Sequence, residues 1–229
     1  GVDGLEKPHA TVLEMAQYYA TAIRSAVRQG PVHLVGWSLG GNIAFEVARQ
    51  LARSGREVGM LALLDSGVLA AQEDWTEQDF LPLIAALFPG QQHASLEALR
   101  QSPPDEQLAY FIRQAARAGI VAEDPVQTGT HIFDVFQANV KAVHDHRPEL
   151  YDGSMLLVRP VDQAKTSELF DDQTLGWDAY VKGVELARVP GDHAHMLQRP
   201  AVLQIAQELE KRLNRYSALR RNGRLVART

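Results

Sequence analysis

A serine set between glycines is the feature of this sequence best suited to chemistry. Residues 36–40 read Gly-Trp-Ser-Leu-Gly, a G-x-S-x-G pattern with Ser38 at its centre. This pattern is typical of a sharp strand-to-helix turn that exposes a serine hydroxyl above the end of a sheet. A serine held there can attack an acyl carbonyl once a base takes its proton. We expect the N–H of Leu39, at the start of the following helix, to donate to the resulting oxyanion.

Two histidines near the end of the chain compete for the role of general base. When a G-x-S-x-G turn carries the nucleophile, the order along the chain is serine, acid, histidine. His193 stands in the run Val-Pro-Gly-Asp-His, after a strand-like segment, and His195 lies two residues further on. We predict that His193 is the base, because it comes first after the strand and precedes the last helix.

Two aspartates compete for the role of the acid that orients the histidine. Asp65 ends the apolar run 57–64, and Asp162 follows the apolar run 154–159. Both therefore lie at the carboxyl ends of predicted strands, where the loops of a parallel sheet assemble its site. Spacing along the chain does not distinguish the two.

Groups of histidine and aspartate raise metal binding as an alternative. One group is His144, Asp145 and His146, and a second combines Asp192 with His193 and His195. A metal site needs three or four converging ligands, and the sequence lacks a pair of histidines at helical i, i+4 spacing. We therefore expect neither a metal nor a dissociable cofactor.

Strand-like and helical segments alternate around the serine. Residues 31–36 read as a strand, 39–54 as an amphipathic helix, and 57–64 as a buried strand. This βαβ order predicts a parallel sheet and an α/β fold. Further elements are expected as helices over 10–28, 130–146 and 199–214 and strands over 154–159 and 184–189.

The stretch from about 71 to 129 has a different character. Short helical segments, predicted at 76–88, 94–100 and 104–118, are separated by prolines, and no clear strand interrupts them. We interpret the stretch as a helical lid inserted into a single domain that spans residues 1–229, rather than as an independent domain.

Composition narrows the range of functions. The chain has 229 residues, a net charge of −5 and a pI near 5.9, which disfavour nucleic acid or an anionic membrane as the main partner. It contains no cysteine, so disulfides and thiol chemistry are excluded. No apolar run approaches the roughly 20 residues of a membrane span, and we expect a cytoplasmic location.

Three blocks of sequence resemble one known family. The run 36–48 (GWSLGGNIAFEVA), the run 61–66 (LALLDS) and the run 191–197 (GDHAHML) follow one another in the family's order. Together they resemble the thioesterase domains that end nonribosomal peptide and polyketide synthetases. The resemblance implies the α/β-hydrolase fold, and it implies that Asp65 is the acid, with a spacing from Ser38 that is typical of the group.

The resemblance also implies a substrate and a partner. Such a domain takes a peptidyl or polyketidyl chain from the phosphopantetheine thioester of a carrier protein domain onto Ser38. It then releases the chain by hydrolysis or macrocyclisation. The family usually carries further strands, and a loop with a second oxyanion donor, before the point that matches Gly1. We therefore expect the N-terminal strands of the fold to be missing from this chain.

Other functions remain open from the sequence. An editing (type II) thioesterase of the same pathways would place its acid after a later strand, near Asp162. A general esterase would use the same three kinds of side chain. A binding module with an α/β-hydrolase-like fold is the alternative that is not an enzyme.

Overall fold

The computed structural model describes residues 7–68, 101–117, 125–162, 172–193 and 195–223. The chain divides into two compact units, each treated by itself below. One comprises residues 1–11 and 70–146, and the other comprises 12–69 and 147–229. The elements in chain order are α1 (Val12–Ala26), β1 (Val32–Trp37), α2 (Leu39–Arg53), β2 (Val58–Leu64), α3 (Pro104–Arg117), α4 (Pro125–Asp145), β3 (Tyr151–Pro160), a 3-10 helix (Trp177–Ala179), β4 (Val181–Val189) and α5 (Ala201–Arg221).

The larger unit is built on a parallel sheet. Within the described residues its four strands follow the order β1-β2-β3-β4, and every neighbouring pair is parallel. Leu64 at the end of β2 lies opposite Val158 of β3, and Val158 lies opposite Ala187 of β4. Because the strands are parallel and in register, the loops that follow them emerge at one edge of the sheet. The sheet confirms the predicted parallel arrangement and the α/β class of fold.

Two apolar layers cover the two faces of this sheet, as the two-residue period of strands requires. On one face Leu61, Leu63 and Leu157 pack with Phe45 of α2 and with Trp177. The other face packs against α5 and the loop before it, through the residues Ala62, Leu64, Leu156, Val158, Val189, Met196, Ala201 and Ile205. Burial on both faces explains why β2 is a nearly continuous apolar run in the sequence.

Helix α1 completes the layer formed by α2. Ala16 and Ala20 are fully buried, and they pack against Val47 and Leu51 of α2 and against Val32. Small alanines at i and i+4 let the two helices approach closely along one stripe. This buried contact with α1 therefore stabilises the position of β1, of α2 and of the turn between them.

The smaller unit contains α3 and α4, which pack against each other. Helix α4 begins at Pro125, five residues before the start predicted at 130, because proline is favoured in the first turn of a helix. The helices predicted at 76–88 and 94–100 lie outside the described residues. The lid over 71–129 and the single domain over 1–229 remain predictions.

The other elements differ from expectation at their ends. Strand β4 begins at Val181, before the start predicted at 184. The prediction missed its first residues because Lys182 and Gly183 interrupt the apolar pattern. Helix α5 continues past the predicted end at 214 to Arg221. Arginines in its last turn interact favourably with the negative end of the helix dipole. No helix among the described residues has the length and apolarity needed to cross a membrane.

Candidate active site

The turn between β1 and α2 holds Ser38 in a strained backbone conformation. Its φ of 54° and ψ of −130° lie outside the regions that non-glycine residues prefer. Its N–H donates to the carbonyl of Leu64 over 3.0 Å, and its carbonyl accepts from the N–H of Gly41 over 2.9 Å. Leu39 is the first residue of α2, so its N–H belongs to the first turn, which has no partner within the helix.

Close packing explains two of the glycines around Ser38. A Cβ on Gly36 would lie 2.4 Å from the carbonyl oxygen of Gly40. A Cβ on Gly41 would lie 2.3 Å from Oγ of Ser66, which follows β2. Any side chain at either position would therefore push the turn away from its neighbours. Gly41 lies outside the G-x-S-x-G pattern, but it keeps α2 close to the loop after β2.

The structure brings Ser38, His193 and Asp65 into one hydrogen-bonded line. Nε2 of His193 lies 3.0 Å from Oγ of Ser38, and Nδ1 lies 2.8 Å from Oδ2 of Asp65. The side chain of Asp65 is 2% exposed and that of His193 is 21% exposed. The imidazole is thus held between a hydroxyl and a buried carboxylate, the arrangement that lets a histidine take a proton from a serine.

A ring contact and an anchored turn hold His193 in place. The ring stacks on the indole of Trp37, with centroids 5.2 Å apart and planes 25° apart. Three residues after the histidine, Met196 is fully buried in the core, and its N–H donates to the carbonyl of Asp192 over 3.0 Å. The turn between these residues is therefore closed by a hydrogen bond and anchored by an apolar side chain.

The rival residues occupy other positions. Nδ1 of His195 lies 2.9 Å from Oδ1 of Asp192, and the histidine side chain is 51% exposed. Asp162 is exposed, and its N–H donates to the carbonyl of Gly191 over 3.0 Å. Asp162 thus supports the backbone of the loop that carries His193, while the carboxylate in contact with His193 belongs to Asp65.

A buried guanidinium lies near the acid. Arg159, at the end of β3, is 1% exposed and donates through Nη1 to the carbonyl of Asp172. Burial, together with the positive charge of Arg188, lowers the pKa of Arg159, and the negative charges of Asp65 and Asp172 oppose that shift. The neighbourhood of Asp65 therefore contains a compensating positive charge.

Sequence reasoning missed the side chains that hold the loop after β2. Asn42, Ser66 and Trp177 are each at most 3% exposed. The side chain of Asn42 donates to Ser66 and to the carbonyl of Gly67, and the indole of Trp177 donates to the carbonyl of Ser66. Asn42 and Ser66 stand inside the blocks that carry the family resemblance, which was the available signal. The sequence around Trp177 contained no comparable signal, because its contact spans 111 positions.

Within the described residues, no three histidine, cysteine or acidic side chains gather as a metal ion would require. His144 contacts Asp145 through Nδ1 over 3.2 Å, within the smaller unit.

A parallel sheet flanked by helices, with a serine at the turn after one strand and its histidine and aspartate at the same edge, defines a serine hydrolase of the α/β-hydrolase class. Comparison with known proteins gives the family. The family described as Thioesterase domain matches residues 3–213. The chain belongs to this thioesterase domain family.

Relatives and solved structures agree with that assignment. A dimodular nonribosomal peptide synthase of Bacillus subtilis is 27% identical over 218 residues, 93% of this chain and 9% of that protein. The crystal structure of AB3403, a four-domain nonribosomal peptide synthetase, aligns with 27% identity and a TM-score of 0.73, over 89% of this chain and 16% of the other. The NocB thioesterase domain, solved in covalent complex with a fluorophosphonate nocardicin G analog, aligns with 22% identity and a TM-score of 0.61, over 91% of this chain and 78% of the other.

Proposed function

We propose that this chain is a chain-releasing thioesterase, with Ser38 as nucleophile, His193 as general base and Asp65 as the acid that orients it. The observation that carries the proposal is the continuous line from Ser38 Oγ through both nitrogens of His193 to Asp65. Membership of the thioesterase domain family supports a thioester as the substrate.

The first half of the reaction forms an acyl-enzyme. Oγ of Ser38 attacks the thioester carbonyl while its proton passes to Nε2 of His193. The N–H of Leu39 donates to the oxyanion of the tetrahedral intermediate. Asp65 stays ionised and stabilises the imidazolium. The intermediate collapses, the C–S bond breaks, and His193 returns its proton to the departing thiolate.

The second half frees the product and restores the serine. A water, or a hydroxyl or amine within the acyl chain, gives its proton to His193 and attacks the ester carbonyl. The bond between the acyl carbon and Ser38 Oγ breaks, and His193 protonates that oxygen. Water gives a free acid, and an internal nucleophile gives a macrocycle.

The acyl chain is delivered by a carrier protein domain on its phosphopantetheine arm. This part of the proposal is supported by the relatives, because the synthase of Bacillus subtilis is a multimodular peptide synthase of which this chain matches 9%. The contact of Asp65 with His193 favours the synthetase-terminal class over the editing class, which would use an acid near Asp162.

Two measurements test the proposal. A fluorophosphonate probe, the chemistry found bound to the NocB thioesterase domain, should label the unaltered chain at Ser38. The variant Ser38→Ala should neither be labelled nor release product. Intact mass of the products from a panel of peptidyl and polyketidyl phosphopantetheine thioesters then separates hydrolysis from cyclisation, since a hydrolysed product is heavier by one water.

Two outcomes would contradict the proposal. A folded, unaltered chain that is not labelled would favour a binding module. Labelling together with turnover of simple esters, but of no thioester in the panel, would favour a general esterase.

A further inference from the structure

We propose that Asn42 is a positioning residue that fixes the loop carrying Asp65 to the helix that carries the nucleophile. The inference rests on the proposed function, because it assigns Asn42 a role through Asp65. It is drawn from the hydrogen bonds of residues 65–68.

Asn42 makes two hydrogen bonds to the loop after β2. Its Nδ2 donates to Oγ of Ser66 over 3.2 Å and to the carbonyl of Gly67 over 3.1 Å. Asn42 is 3% exposed and Ser66 is 2% exposed, so water does not replace these bonds. The side-chain amide of Asn42 can donate two hydrogens, and it donates both of them to the two residues that follow Asp65.

The rest of the loop is held from the other side. The N–H of Asp65 donates to the carbonyl of Val158 over 2.8 Å, and the N–H of Val68 donates to the carbonyl of Leu175 over 3.0 Å. Nε1 of Trp177 donates to the carbonyl of Ser66 over 2.7 Å, and Trp177 is fully buried. The bonds of Asn42 thus join the loop to α2, and those of Asp65, Val68 and Trp177 involve β3 and the segment 175–177.

The loop needs such support, because Asp65 has a φ of 43°. A non-glycine residue stays in that conformation only where its surroundings over-determine it. Asn42 lies one helical turn after Ser38 on α2, so its two bonds fix the acid relative to the nucleophile rather than relative to the sheet alone. A loop free to relax toward ordinary φ would turn the Asp65 carboxylate away from Nδ1 of His193.

The test uses the rate of fluorophosphonate labelling of Ser38, which requires an activated serine but no particular thioester. The change Asn42→Ala should lower that rate by about 10- to 100-fold, the range expected when a catalytic group is misplaced by about 1 Å. Asn42→Asp keeps the volume but cannot donate to the carbonyl of Gly67, so it should lose a similar amount.

Gln50→Ala is the matched control. Gln50 is also a side-chain amide on α2, and its Nε2 donates to the carbonyl of Leu13 over 3.2 Å and to Glu46 over 3.3 Å. It touches no residue of the loop 65–68 in these bonds. We expect labelling of Gln50→Ala to match the unaltered chain, whatever the change in its thermal stability.

A double-mutant cycle separates positioning from a general structural role. If Asn42 acts through Asp65, then adding Asn42→Ala to Asp65→Asn should change the labelling rate by less than about twofold, because coupled residues are not additive. Losses that multiply would overturn the inference, and so would normal labelling of Asn42→Ala or of Asn42→Asp.

Two further outcomes are distinguishable. If Asn42→Ala does not fold, Asn42→Asp serves in the same cycle, since it removes the amide donor and keeps the volume; losses there that multiply with those of Asp65→Asn would also overturn the inference. Absence of labelling in the unaltered chain would contradict the proposed function itself, and with it the role of Asn42.

Discussion

Two residues of the site, Ser38 and Asp65, have positive φ angles of 54° and 43°, which residues other than glycine rarely adopt. Each follows the last residue of a strand, and each points its side chain at the same imidazole. Such conformations cost free energy and persist where neighbouring contacts hold them. At the scale of single residues, the site is therefore defined by which carboxylate and which imidazole these turns bring together.

The identity of the acid gives the first prediction. Asp65→Asn should lower acyl transfer by up to about 10⁴-fold, because the amide can hold the wrong tautomer of His193. Asp162→Asn should change it by less than about tenfold, which is roughly 1.4 kcal/mol, since that side chain is exposed. Turnover of a synthetic thioester measures both. The reverse pattern would favour an editing thioesterase.

The identity of the base gives the second prediction. His193→Gln should abolish detectable labelling and turnover, because no other imidazole lies within hydrogen-bond reach of Ser38 among the described residues. His195→Gln should retain both, since His195 contacts Asp192. Both variants are compared in one assay after circular dichroism has established that they fold. An inactive His195→Gln beside an active His193→Gln would mean that the wrong histidine was assigned.

At the scale of elements, the turn before the 3-10 helix determines where Trp177 lies. The carboxylate of Asp172 accepts from the N–H of Thr174 over 2.9 Å and from the N–H of Gly176 over 2.6 Å. Burial acts to raise the pKa of Asp172, but these hydrogen bonds outweigh it, and the pKa lies below its ordinary 3.8. The charged carboxylate therefore stabilises the turn.

The third prediction follows from that shift. A pKa lowered by folding contributes stability that is present above the unfolded value of 3.8 and is lost as pH falls through the lower folded value. Asp172→Asn should therefore lower the urea midpoint at neutral pH. The difference from the unaltered chain should shrink as pH falls below 3.8. A difference that is constant across this range would show that the charge of Asp172 is not what matters.

At the scale of the whole molecule, the buried Arg49 joins segments that are far apart in the sequence. Arg49 on α2 pairs with Glu46 on the same helix, and both side chains are 2% exposed. Nη2 of Arg49 also lies 2.7 Å from Glu149, which precedes β3. The helix that carries the nucleophile turn is thereby joined to the chain that enters the second half of the sheet.

The fourth prediction concerns this pair. Arg49→Met should lower the free energy of unfolding by about 3–5 kcal/mol, because it leaves Glu46 as a buried charge without its arginine. The double change Glu46→Leu with Arg49→Met should recover much of that loss. Arg53→Met is the control, since Arg53 and Glu149 are each 63% exposed, and it should cost less than about 1 kcal/mol. Equal losses for Arg49→Met and Arg53→Met, measured by urea unfolding, would contradict the argument.

The sequence by itself determined the local features of this protein. The G-x-S-x-G pattern, the apolar run of β2 and the amphipathic α2 predicted the βαβ unit around Ser38, because strand and helix periodicity are short-range properties. These patterns did not predict where β4 begins, where α4 begins or where α5 ends. Those limits depend on a proline start, on a lysine and a glycine that interrupt the apolar pattern of β4, and on favourable terminal charges rather than on apolar period.

The tertiary structure decided which distant residues meet. Residues alone left Asp65 and Asp162 equivalent, since both follow strands, and the resemblance to a family was needed to favour one. The contact between Asp65 and His193 joins positions 128 apart, and it forms because parallel strands in register bring the ends of β2 and β4 to one edge. The same holds for Asn42, Ser66 and Trp177, whose hydrogen bonds hold the acid loop. No pattern along the chain encodes that convergence, because it depends on the order and register of strands that are far apart in the sequence.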